Sequence, residues 1–231
     1  MKNNETKRIE KNWAEGLLQF YTTLMPASSL PNDVQWLYPQ RQPEVVSLMK
    51  TFFQKFFNDS QPRTLLLGIN PGRFGAGVTG VNFTAPKQLV RYCDIPHPLS
   101  QTELSAEFIY EMIQAFGGAS AFYQDYFIGS VCPLGFVKGG KNINYYDEKE
   151  LQVAVEPFIV ENLHKLLALN VSKEKCICIG GEKNYKYLSS LNEKHQFFKK
   201  IIAVPHPRFI MQYRRKQKDD FIIQYLQALT G

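Results

Sequence analysis

The chain has 231 residues, of which 44% are hydrophobic and 21% are charged, and its formal net charge is +6 at pH 7. These proportions are those of an ordinary globular protein with one large or two small domains. No apolar run approaches the roughly 20 residues of a membrane span, and residues 1–7 lack the apolar region of a signal peptide. We therefore expect a cytoplasmic protein without a membrane-spanning segment.

The four cysteines do not have the spacing of metal ligands. None of them forms a Cys-x-x-Cys pair, so the sequence predicts neither a metal nor an iron–sulfur site. Cys176 and Cys178 alternate within a strand-like run, where both would face the core. Disulfides are not expected in a chain that lacks an export signal.

Five segments carry apolar residues at helical spacing. In chain order they cover residues 5–25, 44–58, 103–116, 147–169 and 219–229. A Gly pair is expected to end the third helix, and an acidic capping box is expected to begin the fourth. Pro157 is expected to kink or split that fourth helix. The Pro-rich segment 26–43 is predicted to be a connection.

Four short apolar runs, each followed by a turn signal, lie between these helices at residues 65–69, 126–131, 175–179 and 201–204. Buried strands have this pattern. Because the runs alternate with helices, we predict an α/β fold with a parallel sheet that is covered on both faces. Parallel strands end at one edge of the sheet, which would bring together Asn70, residues 130–133, the Gly180-Gly181 pair and His206.

The first apolar run ends at Asn70 and leads into a glycine-rich loop that reaches Phe83. A neutral amide cannot act as a base, so we expect Asn70 to hold another group in place. Residues 75–80 match G-x-G-x-x-G, but the loop does not follow the strand directly and no helical period comes after it, which argues against a dinucleotide site. The loop is either flexible or lies with its N–H groups against a substrate and presents the Phe83 ring.

His206 stands between two prolines directly after the fourth apolar run. A lone His is more often structural than catalytic, but here the prolines fix the backbone and the strand end places the side chain near Asn70. His206 is therefore the first candidate for a catalytic His. His97 has the same proline flanks but follows no strand-like run.

Two further polar residues each allow two interpretations. Asn142 lies in the turn-rich loop after the second run, where an Asn commonly stabilises a turn but could also face the site. Lys183 follows the Gly180-Gly181 pair and could meet a phosphate together with helix N–H groups, or it could be a surface lysine.

The positive charge is concentrated in residues 194–218, which contain eight Lys or Arg residues and no Asp or Glu. Such a segment is either a solvated basic face or a surface that binds phosphates. The aromatic and apolar residues interleaved at 209–213 favour nucleic acid as the partner.

Three segments together resemble one enzyme family. The sequence GINPGRFG at 68–75, followed by TGVNF at 79–83, resembles the first motif of the single-strand-selective monofunctional uracil-DNA glycosylases, family 3 of the uracil-DNA glycosylase superfamily. Residues 132–142 are similar to that family's central segment, and residues 204–207 are similar to the start of its second motif. The three segments occur in the family's order.

The resemblance implies a three-layer α/β/α sandwich around a four-stranded parallel sheet. It also implies one glycosylase domain over 1–231, in which 1–60 supplies helices packed on a catalytic core at 61–231. Such an enzyme flips a deaminated base (uracil, and here hypoxanthine or xanthine) out of DNA and hydrolyses its N-glycosidic bond without a cofactor or metal. The product is an abasic site for base-excision repair, the partner is DNA, and a monomer is the default expectation.

The family's roles can be carried over by position. Asn70 would orient the attacking water, and His206 would stabilise the charge that develops on the departing base. The backbone of 72–75 would add N–H groups to the pocket. Base binding would fall to Gly72, Phe74, Phe83, Ser130 and Asn142, with Phe83 stacking on the base. DNA contacts would come from Lys183, Arg208, Phe209, Met211, Arg214 and Arg215.

Three positions depart from the family's pattern. Arg73 stands where the family usually has Pro, and Ser130 falls where the family has the Asn that reads the uracil edge. Because a hydroxyl is smaller than an amide and rotates freely, we expect weaker discrimination for uracil and room for hypoxanthine or xanthine. The continuation after Pro207 also differs, so the wedge that fills the gap in the duplex is Arg208, Phe209 or Met211.

A protein of another class remains an alternative. A non-catalytic protein on the same fold could use the basic, aromatic-rich segment to bind single-stranded nucleic acid. The joint presence of Asn70, Phe83 and His206 favours the enzyme, since binding alone needs no amide to position water. A nucleotide-dependent enzyme that uses residues 75–80 would require ATP or NAD to raise its melting temperature.

Overall fold

The computed structural model describes residues 12–26 and 29–231. Within these residues the strands are β1 (Val34–Leu37), β2 (Arg63–Gly68), β3 (Tyr126–Ser130), β4 (Gly135–Lys138), β5 (Lys141–Ile143), β6 (Val171–Ile179) and β7 (Lys200–Val204). The helices are α1 (Trp13–Thr22), α2 (Pro43–Phe56), α3 (Ala76–Thr79), α4 (Pro86–Cys93), α5 (Leu104–Phe116), α6 (Ala119–Asp125), α7 (Lys149–Leu167), α8 (Gly181–His195), α9 (Pro207–Tyr213) and α10 (Lys218–Thr230).

The central sheet has four parallel strands in the order β3-β2-β6-β7. These are the four strands predicted from the apolar runs, and helices cover the sheet. The α/β class with a four-stranded parallel sheet is therefore confirmed. The middle of β2 is fully buried, with Leu65, Leu66 and Leu67 each 0% exposed, which is why this run reads as a continuous apolar segment.

A second sheet was not predicted from the sequence. It is antiparallel, in the order β1-β4-β5, and β1 lies inside the segment predicted to be a connection. Strands β4 and β5 form a hairpin through Gly139 and Gly140, whose φ angles are +53° and +72°. A Gly-Gly pair between two short strands is a known hairpin signal, so this part of the prediction was wrong although the signal was present.

The predicted helices at 44–58, 103–116, 147–169 and 219–229 correspond to α2, α5, α7 and α10. For the helix predicted at 5–25, α1 accounts for the later part, and residues 5–11 lie outside the described residues. Pro157 does not split α7, which runs through it. Pro157 is exposed, so water can satisfy the carbonyl group that loses its N–H partner. Helices α4, α6, α8 and α9 are not predicted from the sequence.

The glycine-rich loop after β2 is not an open loop. Residues 76–79 form the single turn α3, which ends at Gly80 in the left-handed conformation (φ +73°). The next segment is tied down by threonines. The Thr79 hydroxyl donates to the Thr84 carbonyl at 2.6 Å, and the Thr84 hydroxyl donates to the Asn82 carbonyl at 3.1 Å. Of the two interpretations of this loop, these contacts favour an ordered loop over a flexible one.

Candidate active site

The carboxyl ends of the parallel strands open onto a cleft of about 380 Å³. Asn70 follows β2, Ser130 ends β3, Gly180 follows β6 and His206 follows β7, and all four residues line this cleft. The cleft also contains Gly72, Phe83, Asn142, Arg208 and Phe209 from the predicted site. The parallel topology thus brings these distant parts of the sequence together.

Asn70 has both ends of its amide held by backbone groups. Its Nδ2 donates to the carbonyl oxygen of Ile143 at 3.2 Å, and its Oδ1 accepts the N–H of Tyr145 at 3.1 Å. These two partners fix which end is nitrogen and which is oxygen. Because an amide oxygen has two lone pairs, one remains available for a ligand in the cleft.

The segment that holds Asn70 is itself anchored. Tyr145 is 0% exposed, and its hydroxyl donates to Asn184 Oδ1 at 2.6 Å, near the start of α8. Asn184 Nδ2 in turn donates to the carbonyl of Ile179 at 3.1 Å, at the end of β6. This chain of contacts joins the β5 hairpin to the main sheet. Sequence reasoning missed Tyr145, for which the Tyr145-Tyr146 pair in a polar loop was a weak signal.

His206 is the N-cap residue of α9, and its Nδ1 accepts the N–H of Arg208 at 3.1 Å. A ring nitrogen that accepts a hydrogen bond carries no proton, so in the neutral ring the proton lies on Nε2. Burial, together with the positive charge of Arg208, lowers the pKa of His206 to about 4. His206 is therefore a neutral hydrogen-bond donor at physiological pH.

The lowered pKa of His206 predicts that acid destabilises the protein. The pKa of His206 is about 4 in the folded protein, compared with the ordinary value of 6.5 that applies in the unfolded chain. Between these two pH values the unfolded chain therefore binds more protons than the folded protein. The stability that His206 contributes is fully present above pH 6.5 and is lost as the pH falls towards 4. In urea denaturation, we expect the free energy of unfolding to fall more between pH 7 and pH 5 for the wild type than for His206→Asn.

The Asn side chain in that variant retains a helix cap but does not titrate. An equal fall of the free energy of unfolding in both proteins would contradict the expected protonation of His206.

Phe83 is presented by a strained backbone. Its φ angle is +52°, which is unusual for a residue other than Gly. The ring lies against the end of β2, since a Cβ atom added to Gly68 would be 2.7 Å from Phe83 Cε2. The Phe83 and His206 rings have centroids 6.0 Å apart. The strain and the glycine together place a flat apolar face in the cleft beside His206.

Ser130 belongs to a short chain of buried hydrogen bonds. Its hydroxyl donates to Asn82 Oδ1 at 2.8 Å, and Asn82 Nδ2 donates to the Tyr21 hydroxyl at 3.0 Å. Asn82 lines the cleft and is 5% exposed. Asn82 lies within the first family motif, but the sequence assigns it no role, because its partners Ser130 and Tyr21 are far from it in the chain.

The loop at 72–75 differs from the prediction in two respects. The N–H of Arg73 already donates to Asn142 Oδ1 at 3.3 Å, so it is not free for a ligand. Phe74 does not line the cleft. Its ring is 53% exposed and lies under the Arg73 guanidinium, 4.7 Å from the ring centroid. The assignment of Phe74 to base binding was therefore wrong, because the loop turns this side chain outward.

The three candidate wedge residues lie on different faces of helix α9. Arg208 and Phe209 are exposed and line the cleft, and Phe209 is 44% exposed. Met211 is only 4% exposed and packs in the core. The helical period places Pro207, Ile210 and Met211 on the inner face, and this pattern was readable in the sequence. The assignment of Met211 to DNA contact was wrong for this reason.

Of the remaining predicted DNA contacts, Arg214 and Lys183 lie beside residues of the cleft, whereas the Arg215 guanidinium lies 3.9 Å from the Glu107 carboxylate on α5. Arg214 and Arg215 follow α9 and are exposed, and the Arg214 guanidinium lies 5.9 Å from the Phe209 ring centroid. Lys183 is exposed on α8, with its Nζ 5.9 Å from the ring centroid of Tyr146, which lines the cleft.

Glu103 is an acidic residue of the cleft that the sequence did not indicate. Burial raises its pKa.

Residues 12–26 and 29–231 contain no group of three or more His, Cys, Asp or Glu side chains arranged to hold a metal ion. Among the described helices, none combines the length and the apolar character needed to cross a bilayer.

Comparison with known proteins identifies the family. The uracil DNA glycosylase superfamily model matches residues 54–230. The crystal structure of wild-type SMUG2 from Pedobacter heparinus is similar to this chain, with 44% sequence identity, a TM-score of 0.90, and coverage of 94% of this chain and 96% of that one. A search of curated proteins found no match. With the cleft, the four-stranded sheet and these matches in agreement, the chain belongs to the uracil DNA glycosylase superfamily and is a SMUG-like DNA glycosylase.

Proposed function

We propose that this enzyme removes deaminated bases, namely uracil and also hypoxanthine or xanthine, from DNA. The target base is flipped into the cleft, and water replaces it at the sugar carbon, which leaves an abasic site for base-excision repair. The observation that carries the proposal is the pairing of two neutral groups in one cleft. The Asn70 amide is fixed by backbone groups, and the His206 ring is fixed as a donor through Nε2.

This pairing suits a reaction in which the base leaves before water attacks. The bond between the sugar and the base breaks with its electron pair on the base, and the sugar becomes oxocarbenium-like. A weak nucleophile then suffices, so Asn70 needs only to position water, which bonds to the sugar carbon and gives up a proton that neutralises the departed anionic base. The larger demand is on stabilising the anionic base, which a preorganised donor such as His206 Nε2 can meet.

The composition of the cleft supports a monofunctional enzyme. A glycosylase that also cleaves the DNA strand forms a Schiff base through an amine, for which Lys is the usual side chain. Among the described residues, none that lines the cleft is a lysine. Hydrolysis by a positioned water is the chemistry that the side chains in the cleft favour.

Ser130 supports a broad choice of base. Its hydroxyl occupies less space than the Asn that the family has at this position, so the cleft has room for a two-ring base. Asn142 stands at the same cleft with its oxygen on the Arg73 N–H, and its amide nitrogen remains able to donate to a base.

Base release from defined oligonucleotides tests this proposal. Duplex and single-stranded substrates that contain uracil, hypoxanthine or xanthine are incubated with the protein and then cleaved with alkali. Release of at least one deaminated base is expected, and Ser130→Asn is expected to shift the preference towards uracil. Tight, salt-sensitive binding without cleavage would instead favour a non-catalytic protein that binds single-stranded nucleic acid. Equal activity of Ser130→Asn on all three bases would remove the assigned role of Ser130.

The exposed basic residues around the cleft form the proposed DNA-binding face, with Phe209 or Arg208 as the wedge. Arg214→Ala is expected to weaken DNA binding regardless of sequence and to reduce the slope of log K against log salt by about 1, because one phosphate contact is lost. Fluorescence anisotropy over a salt series measures this slope. Lys165→Ala is the matched control, since Lys165 is an exposed cation on α7 that is paired with Glu161. An unchanged slope for Arg214→Ala would exclude Arg214 from the face.

We further propose that the chain acts as one domain over 1–231, as a monomer and in the cytoplasm. Buried residues of α1 and α2 share one hydrophobic cluster with those of the central sheet, which supports a single domain. Gel filtration of the protein with and without DNA tests the monomeric state.

A further inference from the structure

The Ser130 hydroxyl already donates its hydrogen to the side chain of Asn82. This hydrogen points to Asn82 Oδ1, at an oxygen–oxygen distance of 2.8 Å. A hydroxyl has one hydrogen and two lone pairs. In this arrangement Ser130 can therefore only accept a hydrogen bond from a ligand in the cleft, and it cannot donate one.

The Asn82 amide bridges the hydroxyl groups of Ser130 and Tyr21. The amide nitrogen lies 3.0 Å from the Tyr21 hydroxyl oxygen, which accepts its hydrogen. Tyr21 is 2% exposed on α1, and its ring stacks on Phe53, with centroids 6.0 Å apart. The backbone of Asn82 is fixed by the Thr84 hydroxyl. The phenol, the amide and the hydroxyl therefore form a directed chain that ends at the cleft.

An acceptor at this place matches a chemical feature of deaminated bases. Uracil, hypoxanthine and xanthine each carry a ring N–H beside a carbonyl group. Cytosine and adenine, the parents of the first two, have a lone pair on that ring nitrogen. If the Ser130 oxygen faced such a lone pair, neither atom would have a hydrogen-bond donor. These two unpaired groups would strongly disfavour the binding of cytosine or adenine.

We propose that Asn82 is a positioning residue for base selection, which sets Ser130 as the acceptor for the ring N–H of a deaminated base, and that Tyr21 holds Asn82 in this role. The inference rests on the proposed base-releasing activity. Asn82 acts on the base through Ser130, so its contribution must disappear when the hydroxyl of Ser130 is absent.

A double-mutant cycle tests this dependence. Single-turnover release of the deaminated base that the wild type removes fastest is measured for the wild type, Asn82→Leu, Ser130→Ala and the double variant, with thermal melting of each protein. We expect Asn82→Leu to slow release about tenfold, which corresponds to one hydrogen bond. In the Ser130→Ala background, the same substitution is expected to have no further effect.

Tyr21→Phe tests the far end of the chain and replaces Asn82→Leu if that variant does not fold. It keeps the ring and removes only the acceptor, and we expect a fall of about threefold that again vanishes with Ser130→Ala. Tyr123→Phe is the matched control, because Tyr123 is also 2% exposed and packs in the same aromatic core, but its hydroxyl pairs with Tyr110. Its rate is expected to equal that of the wild type.

Three results would overturn the inference. The first is an unchanged rate in both Asn82→Leu and Tyr21→Phe, and the second is an effect of equal size with and without the Ser130 hydroxyl. The third is a wild type that releases no base at all, which would remove the proposed function itself and is distinguished from the other two by the absence of any product.

Discussion

Asn70→Ala is expected to lower the single-turnover rate of base release about a thousandfold, because the water then loses the group that positions it. The backbone contacts of Asn70 make the effect specific. Ile143 and Tyr145 fix both ends of the amide, so the neutral side chain is held rigidly for a single geometry. Binding of the damaged DNA is expected to change little, since the amide does not carry charge.

The loss of two backbone contacts will also lower the stability of this variant, and a matched substitution separates the two effects. Asn192 bridges backbone groups in the same manner, as its Nδ2 donates to the Phe198 carbonyl at 2.9 Å and its Oδ1 accepts the Phe198 N–H at 2.8 Å. It does not line the cleft. Asn192→Ala should therefore lower the melting temperature without slowing base release. If Asn70→Ala retained full activity, the proposed mechanism would be wrong.

His206→Ala is expected to slow base release by about two to three orders of magnitude, as the loss of one preorganised donor does at an oxyanion site. The neutral ring donates through Nε2 while Nδ1 accepts the Arg208 N–H. Because the pKa of His206 is about 4, the rate of the wild type should not reflect titration of this residue between pH 6 and 8. A rate profile over pH for the wild type and His206→Ala measures both effects.

His97 offers a control with the same local structure. It also lies between two prolines, and its Nδ1 accepts the N–H of Leu99, two residues later, at 3.1 Å. His97→Ala therefore removes an equivalent local contact outside the cleft and should leave the rate unchanged. A similar loss of activity in both variants would mean that His206 acts only by shaping the backbone.

The main sheet could be predicted because its strands are buried on both faces. The Leu65–Leu67 run has no polar position, and each strand ends at a turn signal. The sequence therefore indicates both the strands and the sheet edge at which Asn70 and His206 lie. The small sheet is half exposed and its strands have three or four residues. Such short strands carry little periodicity, and only the Gly139-Gly140 pair indicates the hairpin.

The sequence could predict the site residues that come directly after a strand, such as Asn70 and His206. The contacts that orient those residues join distant segments, such as Asn70 with Tyr145 or Ser130 with Asn82, and no local pattern records them. Met211 and Phe74 were misplaced for a different reason. Each lies in a segment of the right character, but the direction of a side chain depends on helical phase and on the turn of a loop.

The amide of Asn70 is held by main-chain groups, and this decides where the site is sensitive to mutation. Almost any side chain at position 143 leaves the carbonyl in place, so a systematic mutational scan would register Asn70 as intolerant and its partner Ile143 as permissive. At position 145 a substitution by proline would remove the N–H itself. Such a scan would therefore understate how much of the catalytic geometry depends on the hairpin, because the hairpin holds Asn70 through main-chain groups that most substitutions leave in place.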